Sequence, residues 1–189
     1  MSKQSALLSA SSSSLLLEVV DGALIIQHWG APLQGELASV QTAIRPSIAN
    51  SSWDVPQFPG IMRESSRGFL GRPTLSGHRQ GKAWSTKFEV TDFHHNLNQA
   101  TITLRDLHAE LQIVLSFALD QFGVLTQNAS IKNLGSTDYF LNEFIHWLPL
   151  PKEATQTLDF AGRWSNERNP QRKEIATGTW VRESREGRS

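Results

Sequence analysis

The sequence predicts an all-β, antiparallel fold with few or no helices. Three observations carry this. The dominant apolar period is two, as expected of half-buried strands. Turn signals recur every ten to fifteen residues or so, the rhythm of an antiparallel sandwich or barrel. No long amphipathic helix interrupts the 189 residues.

The elements follow in order. Residues 1–14 read as a flexible polar start, because Ser11 to Ser14 break the apolar run that begins near Ser5. With Lys3 as its only positive charge, that run does not build a signal peptide. Leu15 to Val20 and Ala23 to Trp29 flank Asp21-Gly22, a dipeptide that favours a tight hairpin. Glu36 to Ile44 is a candidate strand or short helical turn. Arg45 to Gln80 contains Pro46, Pro56, Pro59 and Pro73 with several glycines, and reads as one long loop anchored by Trp53, Phe58, Met62, Phe69 and Leu70. Trp84, Thr86, Phe88 and Val90 alternate with polar residues, as do Ala100, Ile102 and Leu104, and each run reads as a strand. Leu111, Ile113, Leu115 and Phe117 mark the next, with further strands over Val124–Lys132 and Tyr139–Leu148. Asn96–Gln99, Asp106–His108, Asp120–Gly123 and Asn133–Asp138 supply the turns between them. Pro149 and Pro151 end the last strand, since proline cannot donate to a ladder. No domain boundary is visible from residue 15 to 189.

Composition narrows the function classes. Eighteen basic and eighteen acidic side chains give zero net charge, so nothing points to nucleic acid or to an anionic membrane surface. No stretch has the apolar length of a membrane-spanning helix. The chain has no cysteine, which excludes disulfides and thiolate metal sites and suits a reducing, cytoplasmic setting. Six tryptophans against one tyrosine are unusual. Indole faces stack on sugar rings, although for any single tryptophan core packing is the commoner role.

Two constellations could carry chemistry. Arg67-Gly68-Phe69-Leu70-Gly71-Arg72-Pro73, with Trp53-Asp54 upstream, places two guanidinium forks on a sharply turning loop. Such forks hold carboxylates or vicinal hydroxyls; an ion pair that pins the loop is the equally weighted alternative. Arg163-Trp164, Glu167-Arg168 and Arg172 have the composition of an interface rather than of a catalytic centre. Adjacent strand residues point to opposite faces, so His94 and His95 cannot share a metal. No metal site and no cofactor are expected. No Gly-x-Ser-x-Gly elbow is present, and the eighteen carboxylates cannot be paired from sequence into a hydrolytic dyad.

Several ordered motifs resemble the amino-terminal domain of family-36 glycoside hydrolases, the bacterial-type α-galactosidases or melibiases. They are Arg67-Gly68-Phe69-Leu70-Gly71-Arg72-Pro73-Thr74-Leu75-Ser76-Gly77-His78-Arg79, Trp84-Ser85 with Phe88, Arg105-Asp106-Leu107-His108, and Trp147-Leu148-Pro149-Leu150-Pro151. Asp159-Phe160, Gly162-Arg163-Trp164, Glu167-Arg168, Gly178-Thr179-Trp180 and Glu183-Ser184-Arg185 continue the set. The resemblance spans about Leu16 to Arg188. It implies an antiparallel β-supersandwich of the galactose mutarotase-like kind over residues 15–189, ending at the linker to a (β/α)₈ barrel that holds both catalytic aspartates and is absent from this chain. On that reading the chain alone is inactive. The parent protein is a retaining α-galactosidase acting on melibiose- or raffinose-like α-galactosides and assembled as a homo-oligomer. The resemblance assigns Asp54, Arg72 and Trp53 to the substrate-pocket rim. Trp164, Glu167 and Arg168 are expected at an interface. Two alternatives stay open: a stand-alone carbohydrate-binding or interaction module, and an active mutarotase-like epimerase. The second needs a histidine acid (His78, His94 or His146) and a glutamate base in one cleft.

Overall fold

The computed structural model describes residues 4–33, 60–150, 153–176, 178 and 180–183. Among these, eleven strands and one 3₁₀ turn, Ser65–Arg67, make up the regular structure. The chain divides into two compact units, Met1–Pro149 and Leu150–Ser189, where the sequence shows no boundary.

In the first unit, β1 (Ser5–Ser9), β2 (Ser14–Val20) and β3 (Ala23–Gly30) form an antiparallel sheet in the order β1-β2-β3. Asp21 and Gly22 both adopt positive φ, 50° and 77°, the geometry that joins two twisted strands by a two-residue turn. β4 (Leu75–His78) pairs with β9 (Phe140–Phe144). β5 (Glu89–His95), β6 (Gln99–Asp106), β7 (Leu111–Leu119) and β8 (Leu125–Asn133) form a four-stranded meander. One core joins them: Leu8, Leu15, Leu17 and Leu24 from the first sheet, Leu75 from β4, Phe88, and Ile102, Leu104, Ile113, Leu115 and Phe117 from the meander. Apolar faces of two antiparallel sheets closing over a shared core make a β-sandwich.

Three features depart from the sequence reading, each for a physical reason. The predicted flexible start contains β1, whose Leu8 is fully buried. The serines that break the apolar run are structural donors. Ser11, Ser12 and Ser13 give their hydroxyl hydrogens to the carbonyls of Gln121, Phe122 and Gly123 at 2.8, 2.6 and 3.0 Å, satisfying the β7–β8 turn. The strand expected at Trp84–Val90 starts only at Glu89, because Lys87 and Phe88 donate their backbone N–H groups to the side chains of Asp106 and Glu64 rather than to a neighbouring strand. The predicted long loop contains β4, read as loop because glycine and proline surround it. Gly77 is required there, since a Cβ would lie 2.5 Å from Tyr139 Cε1 and 2.6 Å from Phe140 O. The Glu36–Ile44 candidate lies outside the described residues.

The second unit contains the antiparallel hairpin β10 (Gln156–Arg163) and β11 (Asn166–Glu174), with a bulge between Ala161 and Arg163 and Ser165 at positive φ in its turn. Asp159 accepts from Arg182, and the Lys173 ammonium sits 4.9 Å from the Trp180 ring centroid. The Arg182 hydrogen bond holds the Asp159 carboxyl below its ordinary range.

Candidate functional site

The arginine loop is fixed at both ends. Arg67 is a pin: its Nε donates to Glu64 Oε2 at 3.0 Å, Nη2 to Phe88 O at 2.8 Å and Nη1 to Asp21 O at 3.2 Å. Glu64 completes the pin by accepting Phe88 N–H on Oε1 at 2.8 Å. Just before the pin, the Arg63 guanidinium lies 5.3 Å from both the Phe69 and Trp147 ring centroids, and those two rings meet edge to face at 6.3 Å. Burial pulls Arg63 below its ordinary pKa.

Arg72, beyond these anchors, is exposed and forms a two-pronged pair with Glu143 of β9. Its Nε donates to Oε2 at 2.7 Å and its Nη2 donates to Oε1. Nη1 has no hydrogen-bond partner among the described residues, so one edge of the fork stays available to a ligand. Glu143 was not legible as a site residue, because it lies 71 positions from Arg72. The β4–β9 ladder, which sets Ser76 opposite Glu143, brings the two together.

Pro73 and Asn142, the chain neighbours of that pair, line a cleft of about 380 Å³. Glu64, Ser76, His78, Trp84, Ser85 and Thr86 also contribute to its wall. The turn that delivers Trp84 is strained, with Gln80 and Ala83 at φ 48° and 55°. It is pinned by reciprocal backbone bonds between Arg79 and Lys82 and by Tyr139 Oη donating to Ala83 O at 3.3 Å. Trp84 is 68% exposed as a result, the opposite of the core role its alternation predicts. His78 Nδ1 accepts Gly81 N–H at 3.3 Å, which leaves the proton of the neutral ring on Nε2.

A histidine and a glutamate thus share one cleft, as an epimerase would require. Both Glu64 oxygens, however, are committed to Phe88 N–H and Arg67, and the side chain is only 2% exposed. It is a structural carboxylate rather than a base that substrate can reach. His94 pairs with Asp92 at 2.9 Å on an exposed strand, and His146 packs on Phe144. Among the described residues no group of acidic or histidine side chains could hold a metal ion. Trp53 and Asp54 lie outside the described residues. Trp164, at the β10–β11 turn, is 82% exposed, and the Glu167 and Arg168 side chains, also exposed, have no hydrogen bond or ion pair among the described residues.

Two sheets closing over one core, with an arginine fork and an indole-bearing polar cleft beside them, define an antiparallel β-sandwich domain. Solved structures share this fold. Two variants of the family-36 α-galactosidase AgaA of Geobacillus stearothermophilus align over 97% of this chain and 30% of their own length at 17% identity. One, solved with 1-deoxygalactonojirimycin, has a TM-score of 0.82, and the other, solved with raffinose, 0.83. The α-galactosidase of Lactobacillus brevis aligns over 92% of this chain and 28% of its own, with TM-score 0.75 and 15% identity. An α-galactosidase of Escherichia coli is 29% identical over 182 residues, covering 96% of this chain and 26% of the relative. The chain belongs to the glycosyl hydrolase family 36 N-terminal domain family, whose model matches residues 22–189. It spans about a quarter of the length of the E. coli relative.

Proposed function

We propose that this chain serves as the non-catalytic N-terminal sandwich of an α-galactosidase, with Arg72 on the rim of the substrate pocket alongside Trp53 and Asp54. The observation that carries the reading is the half-open Arg72 fork: Glu143 orients the guanidinium and leaves Nη1 for a sugar hydroxyl. Glycoside hydrolysis needs two accessible carboxylates across a sugar. The described cleft has one carboxylate in its wall, Glu64, and that one is buried. Hydrolysis of α-galactosides such as melibiose or raffinose therefore falls to another part of the parent protein, a barrel domain that partners this one in a cytoplasmic enzyme.

The test is a chimaera in which this chain replaces the matched quarter of the E. coli α-galactosidase. The chain alone is expected to hydrolyse a chromogenic α-galactoside no faster than buffer, whereas the chimaera is active. Arg72→Ala in the chimaera is expected to raise KM about tenfold with little change in kcat, the pattern of a lost binding contact. Turnover by the isolated chain, or an unchanged KM, would overturn the reading.

The hairpin of the second unit is the proposed assembly surface. Leu158, Phe160 and Trp164 are each 45% exposed or more, an apolar and aromatic set typical of interfaces. The purified chain is expected to elute in sizing chromatography above its 21.1 kDa monomer mass, and Trp164→Ala to shift it toward monomer. A monodisperse monomer at high concentration would count against this role.

A further inference from the structure

We propose that the cleft beside Trp84 is a carbohydrate-binding site in its own right, taking one or two pyranose rings on the sandwich apart from the Arg72 rim. The chemistry is that of sugar recognition. A pyranose offers a flat C–H face and a fringe of hydroxyls, so it needs an exposed aromatic face with unengaged polar groups around it. Trp84 supplies the face, and the strained, pinned turn before it keeps the indole out of the core. Ser76, Ser85, Asn142 and the Nε2 of His78 supply the fringe. None of these four groups has a hydrogen-bond partner among the described residues, and all line the same cleft.

The volume, about 380 Å³, falls within the roughly 300–1,000 Å³ of small-molecule sites. Positive φ at Ala83 gives an independent reason to look here. A non-glycine residue held in that region is strained, and such strain concentrates at functional sites.

The experiment uses the 189-residue chain with melibiose, raffinose and galactose as probes, and sorbitol as a polyol without a ring. Amide and indole NMR signals are followed through each titration. Saturable shifts at Trp84, Ser85 and Asn142 are expected, with a dissociation constant on the order of 1 mM. Trp84→Ala and Asn142→Ala should each weaken binding at least tenfold. Both Trp84 and Asn142 are exposed, so neither variant removes a core contact. Absence of saturable shifts, equal shifts with sorbitol, or full binding by Trp84→Ala would overturn the proposal. That outcome is distinguishable from failure of the α-galactosidase reading, which is judged by hydrolysis in the chimaera.

Discussion

Glu64→Ala is expected to destabilise the domain by about 3–5 kcal/mol, the cost of breaking a buried pair and leaving its partner charged and unmatched. Arg67 would stay mostly buried without its carboxylate acceptor for Nε, and Phe88 N–H would lose the carboxylate that accepts it. A pH signature belongs to the same residue. Burial lifts the Glu64 carboxyl from 4.5 to about 7, outweighing the Phe88 N–H bond and the Arg67 charge that pull it down, with Asp106 adding a smaller push upward. Between those two values the folded chain holds a proton that the unfolded chain has released. The stabilising contribution is therefore full below pH 4.5, lost as pH rises through 7, and flat beyond. At about 1.4 kcal/mol per pKa unit the total is about 3 kcal/mol. Urea midpoints of the wild type and Glu64→Gln at pH 5 and pH 8 check the sign. The wild type should lose more stability than the variant on going to pH 8, and parallel profiles would refute the assignment.

Phe88→Ala is expected to cost a further about 3–5 kcal/mol, as large buried aromatics do when truncated. Phe88 is fully buried, and its backbone N–H and carbonyl are both held by the Glu64–Arg67 pin, so the surrounding structure has little freedom to collapse into the void. Phe88→Leu should cost under about 1.5 kcal/mol, provided that the core repacks. A loss near 1 kcal/mol for the alanine variant, read by urea unfolding, would mean that the pin relaxes and that the arginine loop is less rigid than its bonds imply.

Much of the architecture was legible in the sequence because alternation and turn chemistry are local. The Asp21-Gly22 hairpin, the β6–β7 pair and the turns at Asn96–Gln99 and Asp120–Gly123 all appear where their residues predict. The sequence misleads where a local pattern is satisfied by something distant. The polar run Ser11–Ser13 looked unstructured because its acceptors are 110 residues away. The alternation Thr86, Phe88 placed the right residues inside, yet side-chain acceptors replaced the ladder that a strand would need.

The site divides along the same line. Sequence by itself determined that the chain is a neutral, cysteine-free β domain and that Arg67 and Arg72 share one turning loop, because composition, period and spacing depend on neighbours in the chain. Which arginine pins the loop and which reaches across to another strand was decided only in three dimensions. Arg67 turns inward to Glu64 and Phe88, while Arg72 meets Glu143 across the β4–β9 ladder and has no partner for Nη1 among the described residues. Trp84 shows the same limit in the other direction: its place in an apolar alternation predicts the core, and the positive φ at Ala83 turns it to solvent. The physical reason is common to all three. A side chain's partner is set by strand pairing and backbone direction, and neither is a property of the residue or of its immediate neighbours.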